Sequence, residues 1–235
     1  VDLIGWLTFS NHSGKGFTDA NVKLMAGDFH KVRAASPRYK AAFASSEMAA
    51  DNRVQQQDFD EYHLYTVPRA IDLTQGETKQ IEFIRGQGIR AKTRYVYDGA
   101  LIDPHYRPSP EHVLRDTEYG TQSNSDVKIY REFINSKDNT LGGPLPGGRV
   151  RFYQQSDDQQ LEFIGENTVE HTSNKETVSL YTGNAFDIKG ERKRISYQLK
   201  NAGNWATEEF EIRVTNRKKE AVTVEVIEHL YRWVN

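Results

Sequence analysis

The sequence predicts an all-β protein: two antiparallel β-sandwich units, with a short helical or disordered insertion in the first. Three observations predict it. Apolar and polar residues alternate with period two in run after run. In "VKIYREF" (127–133) Val127, Ile129, Arg131 and Phe133 share one side, and in "AVTVEVIEHL" (221–230) Val222, Val224 and Val226 do. Clusters of Gly, Asn, Asp, Ser and Lys separate these runs, at the spacing of sandwich or barrel strands. Finally, an outline recurs: "FSNHSGKGFTDANVKLMAG" and "FINSKDNTLGGPLPGGRVRFY" both place an apolar residue two before an asparagine, then a turn-rich segment, then an alternating strand.

Taken in order, the first unit is expected over 1–97. "VDLIGWLTF" reads as strand and lacks an initiator methionine, which predicts a piece of a longer polypeptide. "ANVKLMA", "KQIEFI" and "IRAKTRYVY" supply further strands. Between them, 34–62 is rich in Ala, Gln and acids; Ser36 and Pro37 suit the N-cap and first position of a short helix. Residues 98–126 hold three prolines and no alternation, and are expected to be a linker or long irregular segment. The second unit, 127–235, carries "VKIYREF", "RVRFY", "ETVSLY", "RISYQL", "FEIRV" and "AVTVEVIEHL". Both copies of the outline reach a Glu-Thr pair that opens a strand, at "GETKQIEFI" and "KETVSLYTG". Val22 to Glu77 is 55 residues and Val150 to Glu176 is 26; the difference, 29, is the length of 34–62, so that segment reads as an insertion into the first copy. "VTNRKKEAVTVEV" is a fainter third version. Asparagine suits the shared position because its side chain closes local turns and tolerates left-handed backbone. The units are expected to be immunoglobulin-like.

Composition narrows the function. Thirty-one basic against thirty-three acidic residues give a formal charge of −2, which lacks the excess positive charge that draws proteins to phosphate backbones; no nucleic-acid partner is expected. Apolar stretches run only a few residues, against roughly 20 for a bilayer span, so no membrane insertion of this segment is expected. The absence of cysteine removes disulfides, thiolate nucleophiles and thiolate metal sites, and is compatible with either redox compartment.

Candidates for chemistry are few. "LGGPLPGGRVRFY" (141–153) concentrates Gly and Pro, but Pro144 and Pro146 remove two backbone donors and the loop leads into a strand, so it reads as an exposed turn or crossover at one end of the second sandwich. "GQGIRA" (86–91) matches a dinucleotide fingerprint in letters only, because a strand follows where a helix is needed; a hairpin turn is expected. No GxSxG, HExxH or EF-hand pattern occurs. Of the seven histidines, only His105 and His112 lie close together, with Asp103, Glu111 and Asp116 nearby; they are the weak candidates for a nitrogen- and oxygen-ligated metal. His63, beside "QDFDEY", reads as solvated. "GERKR" and "NRKKE" read as solvated turns, and Glu208, Glu209 and Glu211 as solvated strand positions. Trp6, Trp205 and Trp233 are expected in the sandwich core, with sugar stacking the alternative. No catalytic, cofactor-binding or metal residue is assigned, and no cofactor is expected.

The blocks "GWLTFSNHSGKGFTDANVKLMAGD", "EYHLYTVPRAIDLTQGETKQIEFI", "LGGPLPGGRVRFY", "GNAFDIKGERKR" and "VEVIEHLYRW", in that order, resemble the bacterial family catalogued as domain of unknown function 4139, the C-terminal part of mucoidy-inhibitor-like proteins. The resemblance covers nearly the whole chain. It implies a mostly β module, downstream of another domain and often in exported proteins, hence periplasmic or extracellular; it carries no catalytic or binding residues onto positions here. The 98–126 segment is longer than the family pattern. The function expected is a noncatalytic interaction or structural module of the cell envelope, reaching a protein partner or itself through edge strands. The alternatives are a carbohydrate-active or metal-dependent hydrolase and a glycan-binding module.

Overall fold

A computed structural model describes residues 1–26, 55–59, 62–67, 69–103, 105–106, 108–200 and 205–229. Fourteen strands, one short helix and one 3-10 turn are defined among them, so the chain is all-β as its alternation predicts. Strand β1 (Leu3–Ser10) pairs antiparallel with β7 (Thr78–Gly86), Ser10 opposite Thr78. Strand β2 (Phe17–Ala20) pairs with β6 (Ile71–Leu73), and β5 (Tyr62–Thr66) lies between β3 (Lys23–Ala26) and β4 (Gln55–Phe59). β10 (Gly148–Gln155) and β11 (Leu161–Val169) form a hairpin. The largest sheet runs β13 (Trp205–Asn216), β12 (Thr177–Lys200), β9 (Asp126–Ile134), β8 (Lys92–Asp98), β14 (Val224–Ile227), with β14 parallel to β8.

The compact units interleave along the chain. The first holds Val1–Ala91, Phe133–Gly148 and Thr168–Val178; the second holds Lys92–Glu132, Arg149–Asn167 and Ser179–Asn235. Residues 98–126, expected as the linker between sequential units, therefore lie within the second. Long strands produce the interleaving, because β9 and β12 each contribute residues to both units.

In the first unit two asparagines organise the turns. Asn11, 4% exposed, donates Nδ2 to the carbonyls of Lys15, Leu73 and Thr74, and its Oδ1 accepts the Ser13 amide. Asn135, 0% exposed, donates Nδ2 to Gly143, Thr172 and Ser173, and accepts the Gly142 amide. The backbone repeats the correspondence: Asn11 N–H bonds Glu77 and Asn135 N–H bonds Glu176, while Gly76 and Lys175 donate back to the two asparagines. Gly76 and Lys175 share a left-handed φ, 80° and 69°, and the Glu77 and Glu176 carboxylates accept the amides of Thr74 and Ser173. The repeated outline in the sequence is thus a repeated hydrogen-bonded clamp, in which a buried amide spends both donors on turn carbonyls that would otherwise be unsatisfied.

Of the 34–62 insertion, the part within the described residues, Gln55–Phe59 with Tyr62, is strand and not helix; Ser36 and Pro37 lie outside the described residues. The Gly-Pro loop belongs to the first unit, not to an end of the second as expected. Leu145, 6% exposed, bridges Thr172 through two backbone bonds of 2.8 and 2.9 Å, and Tyr65 Oη donates to the Pro144 carbonyl at 2.8 Å.

The second unit closes around Tyr97, Val127, Ala185 and Ile188, all buried, with Tyr95, Ile129, Ile212, Val214, Val222 and Val224 packed against them. The Tyr97 ring lies on Gly190, where an added Cβ would come within 2.1 Å of it, and its hydroxyl donates to the Asn124 carbonyl at 2.9 Å. The described residues of 98–126 include a capped helix that packs within this unit. Ser109 caps the helix α1 (Pro110–Arg115) by accepting the His112 amide, Val113 is buried, and Tyr197 Oη donates to the Leu114 carbonyl. "GERKR", expected in a turn, is the middle of β12. Arg192 is 3% exposed; its fork meets both Glu228 oxygens at 2.8 Å, it donates to the Gly120 carbonyl, and it stacks 3.7 Å above the Phe210 ring. A buried guanidinium persists only with this degree of pairing. Burial also opposes the charge on Glu132, but hydrogen bonds from Lys92, Arg94 and Ser179 outweigh it and hold the carboxyl below its usual range.

Candidate functional site

The residues singled out for metal binding do not converge. Asp103 spends its carboxylate on the His105 amide, 2.8 Å away, because an aspartate two residues before an amide closes a local turn. Glu111 pairs with Arg115 one helical turn on, at 2.9 Å. His112 Nε2 lies 3.3 Å from the Tyr106 hydroxyl and 3.8 Å from Asp116, with Tyr106 edge-on to its ring at 6.5 Å. Among the described residues no three His, Asp or Glu side chains gather to hold an ion. His63 sits in β5, opposite Ala26 and Asp58.

The Gly-Pro loop faces a narrow cleft of about 180 Å³ lined by Tyr65, Phe83, Arg85, Leu141, Pro144 and Leu145. Ligand pockets run roughly 300–1,000 Å³, so this one is small. Its polar groups are engaged: the Tyr65 hydroxyl is committed to Pro144, and burial pushes its pKa up to about 12. Gly142, with φ 103°, donates to Asn135, and Gly147 donates to His171 Nδ1. The loop builds the clamp and offers no convergent amides to an anion. "GQGIRA" is likewise a turn, with Gly88 at φ 65° and its amide on Asp2, but not the hairpin expected, because the flanking strands join different sheets, β7 pairing with β1 and β8 with β9 and β14.

The hairpin of β10 and β11 has the character of a recognition surface. Its turn is closed by Ser156 and Gln160, with Gln159 in the left-handed region. Tyr153 (51%), Leu161 (68%), Phe163 (55%) and Ile164 (50%) are exposed, with Tyr153 and Phe163 in edge-to-face contact at 5.8 Å. Phe163 and Ile164 are consecutive, so in an extended strand they point to opposite faces; Leu161 and Phe163 are exposed on one face of the ribbon and Ile164 on the other. On the same hairpin, Arg149 and Arg151 flank Glu166. Phe186, in β12 of the same unit, is 90% exposed. Reading "RVRFY" simply as one alternating strand of the second unit gave no sign of this surface. The available signal was the unalternated Phe-Ile pair, which no single-sided strand can bury.

Trp6 and Trp205, expected in the core, are 54% and 62% exposed. Along β1 the inward positions are taken by Leu3, Leu7 and Phe9, leaving Trp6 outward, opposite Glu82; Trp205 occupies the outward register of β13, with Ala206 on the inner side. Trp233 lies outside the described residues. No helix among the described residues is long and apolar enough to cross a membrane. No family model, curated protein or solved structure matches the chain.

Proposed function

We propose that the chain is a noncatalytic interaction or structural module of the bacterial cell envelope, which engages a protein partner through the β10–β11 hairpin. The observation that carries this reading is the two-faced apolar ribbon of Tyr153, Leu161, Phe163 and Ile164. An isolated hairpin in water is marginal, and contiguous exposed apolar surface marks sites that a partner covers. The resemblance to domain of unknown function 4139 supports the envelope setting, and hence a periplasmic or extracellular location. The immunoglobulin-like description of the two units belongs to the same proposal.

The test is a photo-crosslinking phenylalanine analogue at position 163 in the native cell, beside a substrate panel for the purified chain. A discrete protein adduct, lost in L161D, supports the reading. Turnover of a glycosidic, ester or peptide substrate that one acidic or histidine substitution abolishes overturns it in favour of a hydrolase. Adducts to glycan alone would make it a glycan-binding module instead.

A further inference from the structure

The clamp built on Asn11 and Asn135 occurs a third time, and there it is open. Asn216 ends β13 and keeps the local half of the arrangement: Nδ2 donates to the Glu220 carbonyl at 2.8 Å and Oδ1 accepts the Lys218 amide at 2.9 Å. These match the Lys15 and Ser13 bonds of Asn11, and the Gly143 and Gly142 bonds of Asn135. Missing among the described residues is the other half, the Ser/Thr-x-x-Glu turn whose carbonyls take the remaining Nδ2 donor. Asn11 and Asn135 are buried beneath that turn, whereas Asn216 is exposed.

The sheet repeats the same contrast. β1 is closed by β7, the strand that follows Glu77; β9 is closed by β12, the strand that follows Glu176. β9 has a second neighbour, β8, and β13 has the corresponding one, β12. The register positions agree as well: Ile89 and Ile188, each twelve residues after its glutamate, are both buried. On the other side of β13 no strand lies among the described residues. The Arg217 amide donates to Asp187 of β12, so by strand alternation the amides of Asn216, Val214 and Ile212 point to that open side.

We infer that the open edge of β13 is a docking site for one extended segment of a partner protein bearing a Ser/Thr-x-x-Glu turn followed by Thr, then apolar residues at alternate positions. The inference rests on the interaction-module reading and names a second surface for it. The β1–β7 register fixes the alignment. The incoming glutamate carbonyl accepts Asn216 N–H, the next residue faces Thr215, and the second and fourth after the glutamate face Val214 and Ile212, whose side chains pack on the core. The fifth faces the exposed Glu211, where another acid is disfavoured. The chain's own residues 173–182, "SNKETVSLYT", satisfy every position, placing Val178 and Leu180 on the apolar side and Tyr181 opposite Glu211. The corresponding stretch of the first copy, from Thr74, places Glu82 there and is the poorer fit. Such strand addition takes affinity from backbone bonds and specificity from alternate side chains.

The experiment titrates a labelled synthetic peptide of residues 173–182 into the full chain, read by fluorescence anisotropy and by hydrogen exchange at residues 212, 214 and 216. The expected result is saturable binding that protects those three amides. Replacing the peptide glutamate by alanine weakens it about tenfold, as does N216A in the chain, the scale of one or two lost hydrogen bonds. A peptide with aspartate at the Leu180 position does not bind. Because the peptide variants leave the protein untouched, the result stands even if N216A misfolds. Equal binding of the glutamate and alanine peptides, no saturation at millimolar peptide, protection of the three amides in the free chain, or dimerisation that occludes β13 each overturns the inference. Failure here with the position 163 adduct intact sinks the β13 site alone; hydrolytic turnover sinks the parent reading.

Discussion

Replacing each of the three clamp asparagines by alanine gives a graded series. At Asn135 the substitution removes Nδ2 bonds of 2.8 and 3.0 Å to Gly143 and Ser173, a longer one of 3.4 Å to Thr172, and the 3.1 Å bond from the Gly142 amide. Each ordinary hydrogen bond contributes about 0.5–1.5 kcal/mol net, and a buried group left without a partner costs about 1–3 kcal/mol. With three good bonds lost at a site with 0% exposure, N135A is expected to lose about 3–4 kcal/mol. N11A removes a similar set at 4% exposure and is expected to fall slightly below it. N216A removes two bonds on an exposed residue, where water replaces them, and is expected to cost about 1 kcal/mol or less. The assay is urea unfolding of the three variants, comparing midpoints at unchanged slope so that a shift reports native-state stability. If N216A costs as much as N135A, or N135A costs under about 1 kcal/mol, the clamp is not what holds these turns.

Three further outcomes are expected. G190A drives a Cβ to 2.1 Å from the Tyr97 ring and is expected to cost at least about 1–3 kcal/mol as overpacking; chemical denaturation should show the loss, with partial recovery in G190A combined with Tyr97→Leu. Glu132 has a folded pKa below its usual 4.5, so its contribution to stability is present above that value and is lost as pH falls through the lower folded value; urea midpoints measured from neutral to acid pH should show this limb, flattened in E132Q. Tyr65, raised from 10.0 to about 12 by burial, favours the fold at neutral pH and withdraws that contribution as pH rises through this interval; burial raises the Tyr97 phenol too, so absorbance titration should show a late-titrating component that Y65F reduces and Y65F combined with Y97F reduces further.

Alternation made the all-β class legible, because a half-buried strand must place apolar residues at every second position whatever its partners. The recurring Phe-x-Asn outline and the paired Glu-Thr were legible too, since a clamp of one amide, one turn and one carboxylate requires particular residue types at particular offsets. Some features written in the same alphabet were misread. "GERKR" carries the composition of a solvated turn, yet Arg192 is buried, because Glu228 arrives from a distant part of the chain with matched geometry. His105, His112, Asp103 and Glu111 are close in sequence and chemically apt for a metal, but their nearest partners are a backbone amide, an arginine and a tyrosine.

The sequence alone therefore determined the all-β class, most of the strands and the repeated turn chemistry, all of which are set by local spacing along the chain, but not the outward faces that Trp6 and Trp205 take or the strand that runs through "GERKR". Only the tertiary structure decided which strands neighbour one another, that the 98–126 excursion packs within a unit, that the β10–β11 ribbon stays exposed on both faces, and that Asn11 and Asn135 are sealed while Asn216 is not. Those outcomes depend on contacts between residues tens to more than a hundred positions apart, and a single sequence carries no local signal of which distant carbonyl will meet a given amide.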